Sequence, residues 1–553
     1  MSDAFWTELS VKDASGGRQF TRLLGLMETC FYWDGEFNGT ADVTDHNTIM
    51  FTSPALRIDD PDADEARFRA IWIATKQHHP LLAAHVEECS GGDKLLFVVS
   101  EDRINTIVPG TFEYVAHADE DQTQAVIERG VNGIPRCLSR DLPAAITVLR
   151  RSETEYDLVV TVAHLIFDGI SSFVLLNTLC DLLSRWPDSL ESPSTDLATR
   201  LAMVPFCDSL HASPSTPTPR LRWKRAIGSV IMRRRFAALE GGQTIPDRRT
   251  PYTPHTPALS RVIRTWLDPV ATAAAVVTCR AQGATLGQAL AVVGQFAASR
   301  MLHRRVEVGL LSKAEWNRRR TTPTRTTGPL NLRPHLETSW KVVAGQTVLV
   351  TTVGTWYAKM PFMPDAGTSG RYSDTLSPAR FWLRARGVRR EVEAYQRHPL
   401  LLEMNRAMLP PRIARTRSAA MSLRRKSAGT AQIDGCFEVG DVGREPGVYL
   451  HSGSSIGNVD VYCPYFFPVK RDDGPVETRL RRLQSRMYLR CRPAELYLGA
   501  ATIQERLQVF IYFDANVYTE EDVQEWLHEV KEAMMCYLCE QTKASRTLTR
   551  ANL

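Results

Sequence analysis

The hydrophobic pattern changes from strand-like to helix-like at residues 164–170. Residues 159–164 (VVTVAH) are apolar and β-branched, which predicts a strand covered on both faces. Residues 170–183 carry apolar side chains at helical spacing, with serines near the start, and predict a capped helix. Gly169 is expected to permit a sharp exit into that helix. The sequence therefore predicts a strand–turn–helix unit with a histidine at the strand end.

His164 is the first candidate for chemistry because of its place in this unit. Imidazole has an unperturbed pKa near neutrality, so it can take a proton from a hydroxyl and return it later. Asp168 is separated from His164 by the turn, and we expect it to pair with a cation and fix the shape of the loop. The spacing alone would equally suit a core histidine followed by an Asp-Gly turn.

Further landmarks follow in an order that resembles one known superfamily. They are residues 24–28 (LGLME), 68–85 with their HHPLL turn, 279–302 with GATL, 331–333 (NLR), 454–457 (SSIG), and the strand pair 496–514 with the helix 520–538. With the His-x-x-x-Asp-Gly motif, these segments resemble the CoA-dependent acyltransferases of the chloramphenicol acetyltransferase-like superfamily. That superfamily includes plant acyltransferases, peptide-synthetase condensation domains and lipid-ester synthases.

The resemblance implies an α/β fold of two subdomains. Each would be a mixed sheet flanked by helices, with the active-site tunnel between them. Segments rich in proline, serine and threonine (187–219 and 245–257) predict the boundaries. We expect an N-terminal subdomain at 1–190, a crossover linker at 191–258 and a C-terminal subdomain at 259–553.

Two basic segments stand out within this organisation. Residues 220–235 predict a surface helix, whose cations form a solvated face or contact either CoA phosphates or an anionic membrane. Residues 412–435 are interpreted as a polar insertion near the mouth of a CoA channel.

The resemblance also implies roles for individual residues. His164 would be the general base, within a motif completed by Asp168 and Gly169. Asp168 would be structural, with Arg333 as its partner because it matches the family's strand arginine. The oxyanion donor and substrate contacts would come from Ser454 and Ser455, or from the turn Gly354-Thr355-Trp356. Acyl-CoA would be a co-substrate, and no bound cofactor or metal is expected.

Two departures from the superfamily pattern limit which of its subgroups the sequence resembles. Ala163 occupies the place of a second histidine found in many relatives, and the D-F-G-W-G motif of plant acyltransferases is absent. The length, the insertions and the C-terminal Ala551-Asn552-Leu553 resemble fungal mannosylerythritol lipid acyltransferases. Those enzymes esterify mannose hydroxyls of a glycolipid surfactant, so the expected acceptor is such a glycolipid or a secondary metabolite.

Composition adds constraints on partners and location. A net charge of +5 over 553 residues does not favour nucleic acid, and no apolar run approaches the ~18 residues that span a bilayer. Eleven irregularly spaced cysteines favour reduced thiols inside the cell, and Cys536 and Cys539 without a second pair predict packing and not zinc. We expect a monomer.

The last three residues, 551–553, resemble a weak variant of the peroxisomal Ser-Lys-Leu address, read by an import receptor. Otherwise this end is a disordered terminus and the location is cytoplasmic.

Two other functions stay open. Residues 453–457 (GSSIG) fit the G-x-S-x-G elbow of serine esterases and lipases, with Ser455 as nucleophile. An elbow must lead into a helix, whereas residues 458–463 alternate like another strand, and the only later histidine, His528, lies in an amphipathic helix. The other is a non-catalytic homologue that binds acyl-CoA or a carrier protein.

Overall fold

The structure is a computed structural model of the chain. It describes residues 5–13, 16–89, 92–188, 195–212, 215–239, 241–362, 372–428, 448–468 and 477–539.

The strands of the described ranges belong to three sheets. They are β1 (Thr7–Glu8), β2 (Gln19–Leu23), β3 (Val43–Phe51), β4 (His85–Cys89), β5 (Lys94–Ser100), β6 (Phe112–Val115), β7 (Ala144–Arg150), β8 (Glu155–Val162), β9 (Ser260–Leu267), β10 (Thr324–Asn331), β11 (Val353–Met360), β12 (His451–Ser452), β13 (Ser455–Asn458), β14 (Phe466–Phe467), β15 (Leu480–Leu489), β16 (Leu496–Ile503) and β17 (Arg506–Asp514).

The helices pack on these sheets. They are α1 (Leu26–Glu36), α2 (Pro61–His78), α3 (Glu101–Asn105), α4 (Glu120–Asn132), α5 (Gly169–Ser184), α6 (Leu197–Ala202), α7 (Thr218–Ala238), α8 (Pro269–Ala281), α9 (Leu286–Glu307), α10 (Lys313–Arg319), α11 (Thr338–Val343), α12 (Tyr372–Thr375), α13 (Pro378–Gln396), α14 (Leu401–Ser427) and α15 (Glu520–Met534), which continues into a π-helical turn, Met535–Cys539.

The first lobe is built on a six-stranded mixed sheet in the order β14-β15-β3-β8-β7-β6. Strand β8 is buried along almost its whole length, with β3 and β7 antiparallel on either side. Helix α4 covers one face, where Gly130 lies against Thr44 and Thr161. Helix α5 covers the other, where Ser172 donates to Asp45. A strand covered on both faces needs apolar residues throughout, which explains the run that ends at Val162.

The second lobe contains a seven-stranded mixed sheet in the order β11-β10-β12-β16-β17-β9, with β13 paired to β16. Helices α8, α9, α13 and α15 share a hydrophobic core with this sheet. A left-handed Gly283 (φ +65°) follows α8, and the side chain of Thr285 caps α9 by accepting from the Gln288 N–H. The remaining sheet is small and has the order β1-β2-β5-β4.

The two lobes share strands and core. Strand β15, from the second half of the chain, pairs with β3 from Leu489 opposite Val43 to Leu480 opposite Phe51. One hydrophobic cluster contains Phe510 and Tyr512 of β17 together with first-lobe residues. The first lobe is therefore completed by a strand from the second half of the chain. The boundaries at 190 and 258 stay predictions.

Two local expectations were wrong. Gly169 is the first residue of α5 without left-handed φ, and a side chain there would meet nothing within 4 Å, so the turn does not depend on it. Residues 412–427 are not an insertion but part of α14, since their arginines pair with acidic residues of α1; residues 429–435 of the expected insertion lie outside the described residues. The helical pattern at 68–85 closes in the HHPLL turn as expected, since α2 ends at His78 and a 3₁₀ turn begins at Pro80.

No helix in the described ranges is both long and apolar enough to cross a membrane.

Candidate active site

His164 lies in the turn that joins β8 to α5. Strand β8 ends at Val162, and the Ala163 N–H donates to the Pro143 carbonyl, 2.8 Å away, which anchors the strand end. The His164 carbonyl accepts from the hydroxyl of Thr351, a residue of the second half of the chain. Both halves therefore fix the backbone that carries the imidazole.

The imidazole of His164 packs flat on an aromatic ring. The Phe31 ring of α1 is 3.9 Å away between centroids, with an interplanar angle of 1°. The Nδ1 atom of His164 is buried and has no hydrogen-bond partner of normal geometry among the described residues. Phe31 thus restricts the orientation of the ring by contact over its whole face.

Asp168 is fully used in holding the loop. One carboxylate oxygen accepts from the Ser171 N–H at 2.9 Å, which caps α5, and from Arg333 at 2.9 Å. The other oxygen accepts from the backbone and hydroxyl of Thr352, at 3.1 and 2.9 Å. Burial alone would raise the pKa of Asp168, but Arg333 and these hydrogen bonds outweigh it and lower that pKa. Asp168 rather than a serine caps the helix.

Arg333 is 1% exposed and is brought to Asp168 from the second half of the chain. Its guanidinium also donates to the carbonyls of Gly345 and Val348, and to the hydroxyl of Ser171 at 2.9 Å. The segment that contains Thr351 and Thr352 is thereby held against the His164 turn. The contact between Asp168 and Arg333 is the one that the sequence resemblance implied.

A second ionic cluster lies beside the histidine and was not found from the sequence. The Asp34 carboxylate of α1 accepts from Arg412 of α14 at 2.5 Å and from Arg492 at 2.9 Å. Both guanidinium carbons lie over the Phe31 ring, 5.0 and 5.8 Å from its centroid. Two cations and one carboxylate leave a net positive charge near His164.

This environment holds His164 neutral. Burial and the charge of Arg492 lower the pKa of His164 to about 4, with a smaller contribution from Arg412. At neutral pH the imidazole is therefore unprotonated and able to accept a proton.

No protein-family model and no curated protein matches the sequence. Among solved structures, the trichothecene 15-O-acetyltransferase TRI3 from Fusarium sporotrichioides is similar with a TM-score of 0.71 and 13% identity, over 97% of this chain and 99% of that one. The first condensation domain of the calcium-dependent antibiotic synthetase gives 0.56 and 12%, over 96% and 97%. The X-domain from teicoplanin biosynthesis gives 0.57 and 13%, over 93% and 94%.

The chain has the condensation-domain and acetyltransferase fold. The predicted two-lobed α/β architecture, with mixed sheets flanked by helices, is confirmed. The active-site tunnel that we expect between the two subdomains stays a prediction.

The two segments expected to supply an oxyanion donor lie together in the second lobe. Gly354, Thr355 and Trp356 belong to strand β11 and not to a turn, because they pair with β10. The space beside Gly328 of β10 is filled by the Gly453 carbonyl and the Trp356 indole, so Gly453 and Trp356 are neighbours. The Thr355 N–H already donates to Asn405 Oδ1 at 3.0 Å and is not a free donor.

Ser454 and Ser455 differ in their surroundings. Ser454 lies beside Tyr497 of the neighbouring strand β16, where it partly offsets the effect of burial, which raises the pKa of Tyr497. Ser455 opens strand β13, which runs parallel to β16 up to Asn458 and is followed by a 3₁₀ turn. The geometry of a nucleophile elbow, a serine in a strand-to-helix turn, is not present there. The strand predicted at 458–463 is wrong, since β13 ends at Asn458.

A buried polar pair on β3 was also missed from the sequence. Asp45 is 8% exposed, and burial raises its pKa to about 7, although Ser172 donates to it. The side-chain oxygen of Asn47, on the same strand face, is buried and has no hydrogen-bond partner in the described ranges. The sequence signal was a run of five polar residues, 44–48 (TDHNT), in a strand that is otherwise apolar.

No cluster of three histidine, cysteine, aspartate or glutamate side chains suited to a metal ion occurs within the described ranges. The C-terminal residues 551–553, to which the peroxisomal expectation refers, lie outside them.

Proposed function

We propose that this protein transfers an acyl group from acyl-CoA to a hydroxyl of an acceptor, with His164 as general base. The observation that carries the proposal is the state of His164. It is held at a strand end by both halves of the chain, stacked on Phe31 and neutral at physiological pH. The fold that the chain shares with an O-acetyltransferase supports this class of reaction.

The reaction needs one proton acceptor and one oxyanion donor. The acceptor oxygen bonds to the thioester carbonyl carbon while its proton passes to His164. The oxyanion then collapses, the carbon–sulfur bond breaks, and the proton returns to the CoA thiolate. No covalent enzyme intermediate is needed because the thioester is already activated.

Trp356 and two arginines are the groups that we propose for stabilising the negative charge that develops. The indole N–H of Trp356 lies near the Gly453 carbonyl in the space beside Gly328, and it is the candidate donor of its segment. Arg412 and Arg492 provide positive potential beside the histidine. Donors and charges already in place cost no reorganisation during the reaction.

We infer that the acceptor is a hydroxylated glycolipid, such as the mannose of mannosylerythritol, or a secondary metabolite. The sequence resemblance supports this choice, as do Asp45 and Asn47, whose unused hydrogen-bonding capacity suits an acceptor with several hydroxyls.

The test is thiol release from acyl-CoAs of increasing chain length, with and without a mannosyl-polyol acceptor. The His164→Ala variant is expected to lose about 10²–10⁴-fold in acceptor-dependent release. His303→Ala is the matched control, because it removes another buried imidazole that stacks on a phenylalanine, Phe362, in the second lobe.

Equal release by wild type and His164→Ala would overturn the role of the histidine. Release that does not need the acceptor would favour hydrolysis, and would then be checked with Ser455→Ala. Absence of release by the wild type with every donor would favour the non-catalytic binding role.

A further inference from the structure

Helix α7 has one side built into the molecule. Gly228 and Met232 are its buried residues, and Met232 is 1% exposed. A side chain at Gly228 would meet Glu403 of α14 at 2.8 Å, so the two helices cross in close contact there. The orientation of α7 is thereby fixed, and its opposite side faces outward.

The outward side carries an apolar stripe. At 100° per residue, Pro219, Trp223, Ala226, Val230 and Ala237 fall within a narrow arc opposite Gly228 and Met232. Trp223 is 68% exposed and Val230 is 42% exposed. A helix face that contacts only water is normally polar, so the exposed indole of Trp223 indicates a different environment.

Arginines border this stripe on both sides. Arg222 and Arg233 lie along one edge, and Arg220 and Arg234 along the other. All four are exposed, and none makes an ion pair with a residue in the described part of the chain. Residues 218–238 contain no aspartate or glutamate, so nothing within the helix neutralises these cations.

We propose that this face of α7 binds the surface of an anionic lipid bilayer. The helix lies flat, with Trp223 and Val230 at the headgroup boundary and the four arginines against lipid phosphates. The helix is roughly 30 Å long, so its two rows of cations match a charged plane better than the compact phosphates of one CoA molecule. The surface is independent of the proposed acyl transfer.

The test is co-sedimentation of the full chain with phosphatidylcholine vesicles, with and without 30% phosphatidylserine. The protein should bind only the anionic vesicles and be released by about 0.5 M NaCl. Arg233→Glu with Arg234→Glu should weaken binding about tenfold or more. The control, Arg280→Glu with Arg320→Glu, makes the same charge change at exposed arginines of the second lobe and should bind like the wild type.

Quenching by brominated phosphatidylserine provides a second readout. The tryptophan signal of the wild type should be quenched, and this quenching should fall in Trp223→Phe. Equal binding to neutral vesicles, no binding to anionic ones, or equal losses in both double variants would overturn the proposal. So would a raised KM for acyl-CoA in the α7 double variant without any loss of vesicle binding, since the cations would then serve CoA.

Discussion

Burial and two arginines act on His164 in the same direction, and this sets the pH dependence of its chemistry. A lowered pKa means that the neutral, basic form persists until the pH falls to about 4. The limb of the kcat/KM profile that belongs to His164 should therefore lie near pH 4, well below the usual value for imidazole, because kcat/KM reports the free enzyme.

Replacing Arg492 by methionine should move that acid limb to higher pH. The substitution removes the charge that lowers the pKa of His164 most, so this pKa rises towards its usual value. The measurement is kcat/KM for acceptor-dependent thiol release as a function of pH. Arg417→Met is the control, because Arg417 is on α14 but pairs with Asp93. An acid limb that stays in place would show that Arg492 does not act on the base.

Asp168→Asn should lower stability and activity together. Arg333, 1% exposed, would keep its charge while losing its buried counter-ion, at a cost of about 3 kcal/mol or more in the free energy of unfolding. Chemical denaturation measures this loss. Glu65→Gln removes an exposed carboxylate from its pair with Arg69 and should change stability by less than about 1 kcal/mol. Equal effects of the two substitutions would contradict a buried ion pair at the loop.

At the scale of elements, the sequence predicted best those features whose pattern lies within one continuous stretch of chain. The strand β8, the turn and the helix α5 were predicted well because their pattern lies within one stretch of chain. Helix α14 was missed, since Arg412 and Arg424 look like a solvated charge run until Asp34 and Glu36 of α1 are placed against them. The cap of α5 was misassigned to serines for a similar reason, because Asp168 serves both the helix and a distant arginine.

The crossing of α7 and α14 depends on the absence of a side chain at Gly228. Gly228→Leu should push the helices apart at Glu403 and cost on the order of 1–3 kcal/mol, which calorimetry would detect as a lower Tm. Ala226→Leu places the same side chain on the outward side of α7 and should leave Tm nearly unchanged. A lower Tm in both variants would show that the helix surface, and not the crossing, is the sensitive feature.

At the scale of the whole molecule, the sequence predicted the architecture but not how the lobes are joined. The order of landmarks was enough for two mixed sheets flanked by helices, a prediction confirmed by the comparison with TRI3. Nothing in the chain pattern of β15 indicates that it pairs with β3, because strand pairing depends on distant partners. Phe31, Asp34 and Arg492 were missed for the same reason, as three segments meet at the histidine.

The pairing of β15 with β3 has a consequence for synthesis on the ribosome. The strand β8 that precedes His164 is complete early in translation, and it can pair with β3 and β7 at once. The other edge of β3 must wait until residues 480–489 have emerged, so the nascent chain carries an open sheet edge through most of its production. Such an edge invites pairing with a neighbouring chain, so the growing polypeptide is most prone to aggregation before its own last strands arrive.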